Sequence, residues 1–67
     1  MANKIAYWIN KRLFRPEVVK VCGKWMIHFS ICGERCSLPY RFLSRSNAKA
    51  EMRRYFSEKI YRHQDFR

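Results

Sequence analysis

Between residues 24 and 42 apolar and polar positions alternate with a period of two, the pattern of strands with one buried face. Trp25, Ile27, Phe29 and Ile31 alternate with Met26, His28, Ser30 and Cys32. After Gly33-Glu34 the series resumes as Cys36, Leu38, Tyr40 and Phe42, set between Arg35, Ser37, Pro39 and Arg41. The pattern predicts a β-hairpin. A type II′ turn at Gly33-Glu34 puts glycine where that turn needs it and pairs Trp25 with Phe42 and Phe29 with Leu38. A turn at Cys32-Gly33 changes these partners and demands a positive φ at a cysteine. Odd residues of the first strand share a face with even residues of the second in both registers, so the apolar face is the same. Pro39 has no N–H to give a ladder, so the second strand is expected to be an edge, broken or bulged there.

The flanking segments supply what this hairpin packs against. Ile5, Trp8, Ile9 and Leu13 recur at helical spacing behind Asn3, a good N-cap, while Ile5, Tyr7 and Ile9 also alternate as a strand would. The helix, from Lys4 to Phe14, is the favoured reading, ended by Arg15-Pro16. Glu17 to Cys22 reads as a short strand, with Val19 and Val21 expected on the Trp25 face if the next loop has an odd length, and Val18 otherwise. Ser44, Ser46 and Asn47 are cap-type residues before a stretch from Ala48 to His63 free of glycine and proline. Its apolar stripe is Ala48, Met52, Tyr55, Phe56, Lys59 and Ile60, with Tyr61 on the flank; Gln64 to Arg67 are expected to fray. The fold class is therefore α+β: a three-stranded antiparallel β-meander packed against a C-terminal α-helix, with an N-terminal helix. The expected core is Trp25, Phe29, Leu38, Met52 and Phe56.

Composition sharpens this picture in two ways. Residues 1–67 are enough for a single small domain, with eleven aromatic residues supplying much of its core. Three cysteines, Cys22, Cys32 and Cys36, make an odd number in or beside strands. No disulfide is therefore expected, and a reduced, cytoplasmic setting is. The spacing of those cysteines, with His28 and His63, matches no zinc knuckle, so no metal is expected. No leader or membrane-spanning stretch is evident.

Charge is the second feature. Fifteen Lys and Arg stand against five Asp and Glu, a net charge of +10. Such an excess implies a polyanionic partner, and nucleic acid is the commonest for a small domain of this kind; membrane headgroups and an acidic protein are the other candidates. Enzymatic patterns are thin: no glycine-rich phosphate loop, no nucleophile elbow, no zinc-protease motif. His28 is the one candidate general base, and neither catalytic residues nor a cofactor are expected. The basic residues fall into two groups. With a helix on one side of the sheet, the other side carries Lys24, His28, Arg35 and Arg41 beside Met26, Ser30 and Ser37, side chains suited to reading a groove. Arg45, Lys49, Arg53 and Arg54 surround the start and outer face of the C-terminal helix, where the helix N-terminus adds its own attraction for phosphate.

Gly23-Lys24-Trp25 before an alternating strand, then a glycine-containing turn, a second strand and an alanine-containing helix, resembles the sheet-plus-helix DNA-binding domain. That domain is shared by integrase arm-binding modules and ethylene-response factors. The resemblance spans Val18 to Tyr55 and implies that the sheet enters the major groove through Lys24, Trp25, Arg35 and Arg41. The family's glycine-aromatic step after the third strand is missing here. An α-β-β-β-α order also resembles double-stranded-RNA-binding domains, whose lysine cluster opening the last helix is matched only loosely by Ser46-Asn47-Ala48-Lys49 and Arg53-Arg54. The expected function is non-enzymatic nucleic-acid binding, with duplex DNA ahead of RNA and no membrane partner. The role would be that of a regulatory or accessory factor of bacterial, phage-like or mobile-element type. The alternative is a small protein that binds and modulates another protein, since its Trp, Tyr, Phe, Met and Arg are also what interface anchors use.

Overall fold

The computed structural model describes residues 3–66, and its first element is the helix expected from the N-terminal pattern. α1 spans Lys4–Phe14, and the Asn3 side chain accepts hydrogen bonds from the Ile5 and Ala6 amides at 3.0 and 3.2 Å. Arg15 ends it in the left-handed region, at φ 47°, with its amide bonded to the Lys11 carbonyl. The expected stripe is not the buried one. Ala6, Asn10 and Phe14 face inward, while Ile5, Trp8 and Leu13 are exposed. Small Ala6 lets the helix approach closely, Phe14 fills the core, and Asn10 has a polar task described below.

Three antiparallel strands follow, β1 (Glu17–Val21), β2 (Lys24–Ile31) and β3 (Glu34–Phe42), in sheet order β1-β2-β3. Both connections are two-residue Cys-Gly turns with positive φ at each residue: 51° and 81° at Cys22-Gly23, 50° and 83° at Cys32-Gly33. These are the dihedral signs of a type I′ turn, whose twist matches that of the flanking strands. Twist compatibility thus outweighs the strain of a left-handed cysteine. The turn expected at Gly33-Glu34 is replaced by the Cys32-Gly33 alternative, which pairs Phe29 with Cys36. Beyond a bulge the other register appears, with Trp25 opposite Phe42. The break falls where Pro39 was expected to force one, with Ile27 of β2 facing Leu38, Pro39 and Tyr40 of β3.

An even-length first turn also corrects β1. Val18 pairs with Ile27 and takes the helix-side face, while Val19 pairs with Met26 and Val21 with Lys24 on the other side. A left-handed L-residue other than Asn or Asp costs about 1–2 kcal/mol. Asparagine is the preferred partner of glycine in this turn, so Cys22→Asn is expected to raise stability by about 0.5–1 kcal/mol. A thermal melt should show this as an upward shift of about 3–6 °C. A lower melting temperature would mean that the thiol, and not the backbone, governs this turn.

α2 (Arg45–Tyr55) is capped by Ser44, whose hydroxyl accepts from the Asn47 amide at 3.2 Å. It is shorter than the sequence pattern suggested. Phe56 is the C-cap, and Lys59 and Ile60, expected on the buried stripe, are exposed, whereas Tyr61 is buried. The helix stops because α1 captures the chain beyond it. Fully buried Asn10 donates through Nδ2 to the Phe56 and Lys59 carbonyls, both at 2.7 Å, and accepts at Oδ1 from the Tyr61 amide at 3.1 Å. The Asn3 amide adds a bond to the Ser57 carbonyl at 3.1 Å. Tyr61 then stacks on Tyr55 with centroids 5.2 Å apart and donates its hydroxyl to the Tyr55 carbonyl at 3.0 Å. Burial, then the neighbouring Tyr55, pushes the Tyr61 phenol up to about 12. A 3₁₀ turn at His63–Phe66 stands where fraying was expected, with the Arg62 amide bonded to the Asp65 carboxylate at 2.8 Å; Arg67 lies outside the described residues.

Both helices cover one face of the sheet. Phe14 of α1, Ile27 and Phe29 of β2, Leu38 of β3, Met52 of α2 and the following Phe56 and Tyr61 form one apolar cluster. Phe29 joins the layers, with its ring 6.5 Å from that of Phe14 and 5.8 Å from that of Phe56. Trp25, expected in this core, is only half-buried and outside the cluster, with the Lys20 ammonium 5.8 Å from the ring centroid.

Candidate nucleic-acid interface

Because both helices lie on one side, the other side of the sheet is open. Cross-strand partners share a face, so the ladder itself states what that face carries. One row is Glu17, His28 and Ser37; the next is Val19, Met26 and Arg41; Val21 and Lys24 close one end, and Ser30 with Arg35 the other. All four sheet residues expected to meet nucleic acid, Lys24, His28, Arg35 and Arg41, thus occupy one face. They are not electrostatically equivalent. Glu17, which the β1 register brings onto the same face, forms an ion pair with Arg35. Lys24 and Arg41 have no carboxylate partner among the described residues.

The uncompensated end is also shaped. Val21, Cys22, Lys24, Met26 and Arg41 line a shallow cleft of about 350 Å³. Its lining combines the apolar side chains of Val21 and Met26 with the cations of Lys24 and Arg41. α2 begins at this same end, since Arg45 follows Arg41 by four residues and the Ser44 cap lies between them. Val19, Val21 and Glu17 are contributions to this face that the hydrophobic pattern missed. The signal for them was Cys-Gly between Val21 and Lys24, a two-residue hairpin loop whose even length fixes the face of every β1 side chain.

Beyond Arg45, the α2 cations do not join the sheet residues in one surface. α2 packs on the covered face, so the exposed Arg53 side chain stands on the far side of the molecule from Lys24 and Arg41, and Lys49 is half-buried. Arg54 is held by two carboxylates: its Nε reaches Glu51 at 3.0 and 3.1 Å, and it also pairs with Glu58. Those hydrogen bonds from Arg54 hold the Glu51 carboxyl below its ordinary range. A guanidinium so engaged has little charge to offer a phosphate. Arg45, Lys49 and Arg53 have no such partner among the described residues.

The row Glu17–His28–Ser37 holds the residue types of an acid–base relay on adjacent strands. The Glu17 carboxylate is nonetheless turned to Arg35, and His28 is half-buried on an open sheet face. Cys22 and Cys32 sit exposed at the two turn tips and Cys36 is half-buried on the covered face, so the thiols lie apart. Among the described residues no three His, Cys, Asp or Glu side chains converge; the His63 side chain lies outside that description. No described helix is long and apolar enough to cross a membrane. Comparisons with protein-family models, with curated proteins and with solved structures return no match to this chain.

Proposed function

We propose that this protein binds nucleic acid without catalysing a reaction, and that its target is duplex DNA met by the open face of the sheet. One observation carries this reading: Lys24 and Arg41, without a carboxylate partner among the described residues, stand on adjacent strands of one face and line a cleft together with the apolar side chains of Met26 and Val21. Arginine reads guanine edges and lysine meets guanine or phosphate, while aliphatic side chains find a partner in the thymine methyl. A two-stranded ribbon fits a major groove about 12 Å wide, and β2 with β3, which carry Lys24 and Arg41, form such a pair. The deep, narrow major groove of A-form RNA does not admit such an element. Nor does the face suit single strands, since His28 is the only flat ring in its rows and base stacking needs aromatic platforms. The resemblance to sheet-plus-helix DNA-binding domains supports the same face through Lys24, Arg35 and Arg41, whereas Trp25, which it also implicates, stands on the covered face opposite Phe42. On this reading its role is that of a regulatory or accessory factor.

Fluorescence anisotropy on selected and scrambled duplexes at several salt concentrations tests the proposal. Arg41→Ala and Lys24→Ala should each cost about 1–3 kcal/mol on a preferred site and much less on scrambled DNA. Arg35→Ala should have a smaller effect than Arg41→Ala, because Glu17 already engages that guanidinium. Arg53→Ala, on the far side of the molecule from the sheet face, should leave affinity and the salt slope almost unchanged. Arg54→Ala should barely change either. Should no polynucleotide bind more tightly than about 10⁻⁴ M near physiological salt, the charge serves another partner, and the protein-modulator reading takes its place.

A further inference from the structure

The geometry points to a second docking surface: the outward face of α1 lies against an anionic phospholipid surface. The observation behind it is a helix whose strongest hydrophobes face away from the protein. Ile5 is 70% exposed, Trp8 59% and Leu13 51%, although the same helix buries Ala6, Asn10 and Phe14. Lys4, Lys11, Arg12 and Arg15 surround these side chains, and no acidic residue precedes Glu17. None of the four cations has a carboxylate partner among the described residues. Arg12 lies over the Trp8 ring at 5.0 Å, and Trp8, Lys11, Arg12 and Arg15 line an open cleft of about 490 Å³.

Charge and area together select the occupant. A second copy would set four cations against four like charges. Nucleic acid would satisfy the cations but leave Ile5 and Leu13 with nothing apolar to meet. Eleven helical residues span only about 16 Å, a small footprint beside the roughly 800 Å² per partner of a stable protein interface. A bilayer surface needs no shape match. Aliphatic and indole groups enter the boundary between headgroups and acyl chains, tryptophan prefers that depth, and lysine and arginine meet anionic headgroups. This is peripheral binding by one face of an already folded helix, and it stands against the sequence-based expectation of no membrane partner. It is independent of the proposed DNA contact, since the open side of the sheet points away from the helix layer.

The test is sedimentation with vesicles of phosphatidylcholine alone and of phosphatidylcholine mixed with phosphatidylglycerol. Trp8 emission is followed in a Trp25→Phe background, which leaves Trp8 as the sole indole. The expected result is binding to the mixed vesicles only, with a blue shift of Trp8. The double variant Ile5→Ser, Leu13→Ser should lower partitioning about tenfold or more, with its far-UV spectrum and DNA affinity unchanged. Arg12→Glu, an exposed single change that leaves the apolar side chains in place, should lower it about fivefold or more. Arg41→Ala should leave it as it is, which separates this surface from the sheet face. Absence of binding overturns the inference. So does binding without a blue shift that high salt fully reverses and that Ile5→Ser, Leu13→Ser does not alter, since that is adsorption by charge alone. A loss of DNA affinity in Arg12→Glu without any vesicle binding also overturns it, and assigns α1 to the nucleic-acid interface.

Discussion

Asn10→Ala is expected to abolish cooperative folding, because one buried amide holds three backbone groups that have come away from helical geometry. Its removal leaves the Phe56 and Lys59 carbonyls and the Tyr61 amide without their partner. Each such group, kept from water, costs about 1–3 kcal/mol. The sum over the three groups, about 3–9 kcal/mol, reaches or exceeds what the core of so short a chain supplies, about 3–5 kcal/mol. Tyr61 and Phe56 belong to the apolar cluster, so the loss travels directly from hydrogen bonding into packing. Urea or thermal melts followed by circular dichroism give the measurement. Asn10→Leu should do no better, since shape is not what the site lacks. Asn10→Asp keeps the acceptor for the Tyr61 amide but sets a carboxylate against two carbonyls, and should also fail. A melt of Asn10→Ala within about 1 kcal/mol of the parent, the net worth of one ordinary hydrogen bond, would show that water replaces the amide at little cost.

Phe29→Ala is expected to have an effect of similar size by a different route. Phe29 is 2% exposed, and its ring touches one aromatic from α1 and one from the end of α2. Truncation removes the transfer energy of the ring and leaves a cavity between the sheet and both helices, together about 3–5 kcal/mol. Trp25→Ala, at a half-buried position outside the cluster, should cost clearly less, although tryptophan is the larger side chain. Denaturant melts of the two variants decide the order; if Trp25→Ala proves the more damaging, the centre of the core lies nearer the β1–β2 turn than Phe29.

What the sequence made legible follows from how each signal arises. The limits of α1 were readable because an N-cap and a pre-proline residue are local devices, and Asn3 and Arg15 act on their own neighbours. The face α1 buries was not, because burial was decided by Asn10, a polar residue that hydropathy places outside and tertiary hydrogen bonding places inside. The same residue ends α2 early, so one long-range contact accounts for both misreadings. Within the sheet, alternation identified β2 and β3 and their apolar sides, and Pro39 marked the bulge. Turn chemistry was harder. Cysteine is not a residue associated with positive φ, yet both turns place it there, and assigning the first turn an odd length put Val19 and Val21 on the wrong side of β1. The basic residues of β2 and β3 were placed on the correct face because that error did not reach them. Glu17 escaped notice for the same reason that the valines were misplaced. Arg54 looked available because a charge count does not weigh the geometry by which Glu51, three residues before it in α2, and Glu58, four after it and beyond the helix end, both reach its guanidinium.

The irregularity at Pro39 bears on how this chain can change in length. Leu38, Pro39 and Tyr40 stand opposite the single residue Ile27, a surplus of two. An even surplus preserves parity: Arg41 remains on the side of Arg35 and Ser37, and Phe42 on the side of Leu38. Losing or gaining one residue here would turn Arg41 into the aromatic core and Phe42 out to solvent. Losing or gaining two would slide the end of β3 along β2 and exchange nothing. Insertions and deletions at this point are therefore admissible in pairs, and every admissible step moves Arg41 along the open face by about two residue spacings, close to 7 Å, altering its distance from Lys24 and His28. Drift in chain length at one proline can thus alter which pattern of contacts the face presents, while the hydrophobic layer beneath it stays as it was.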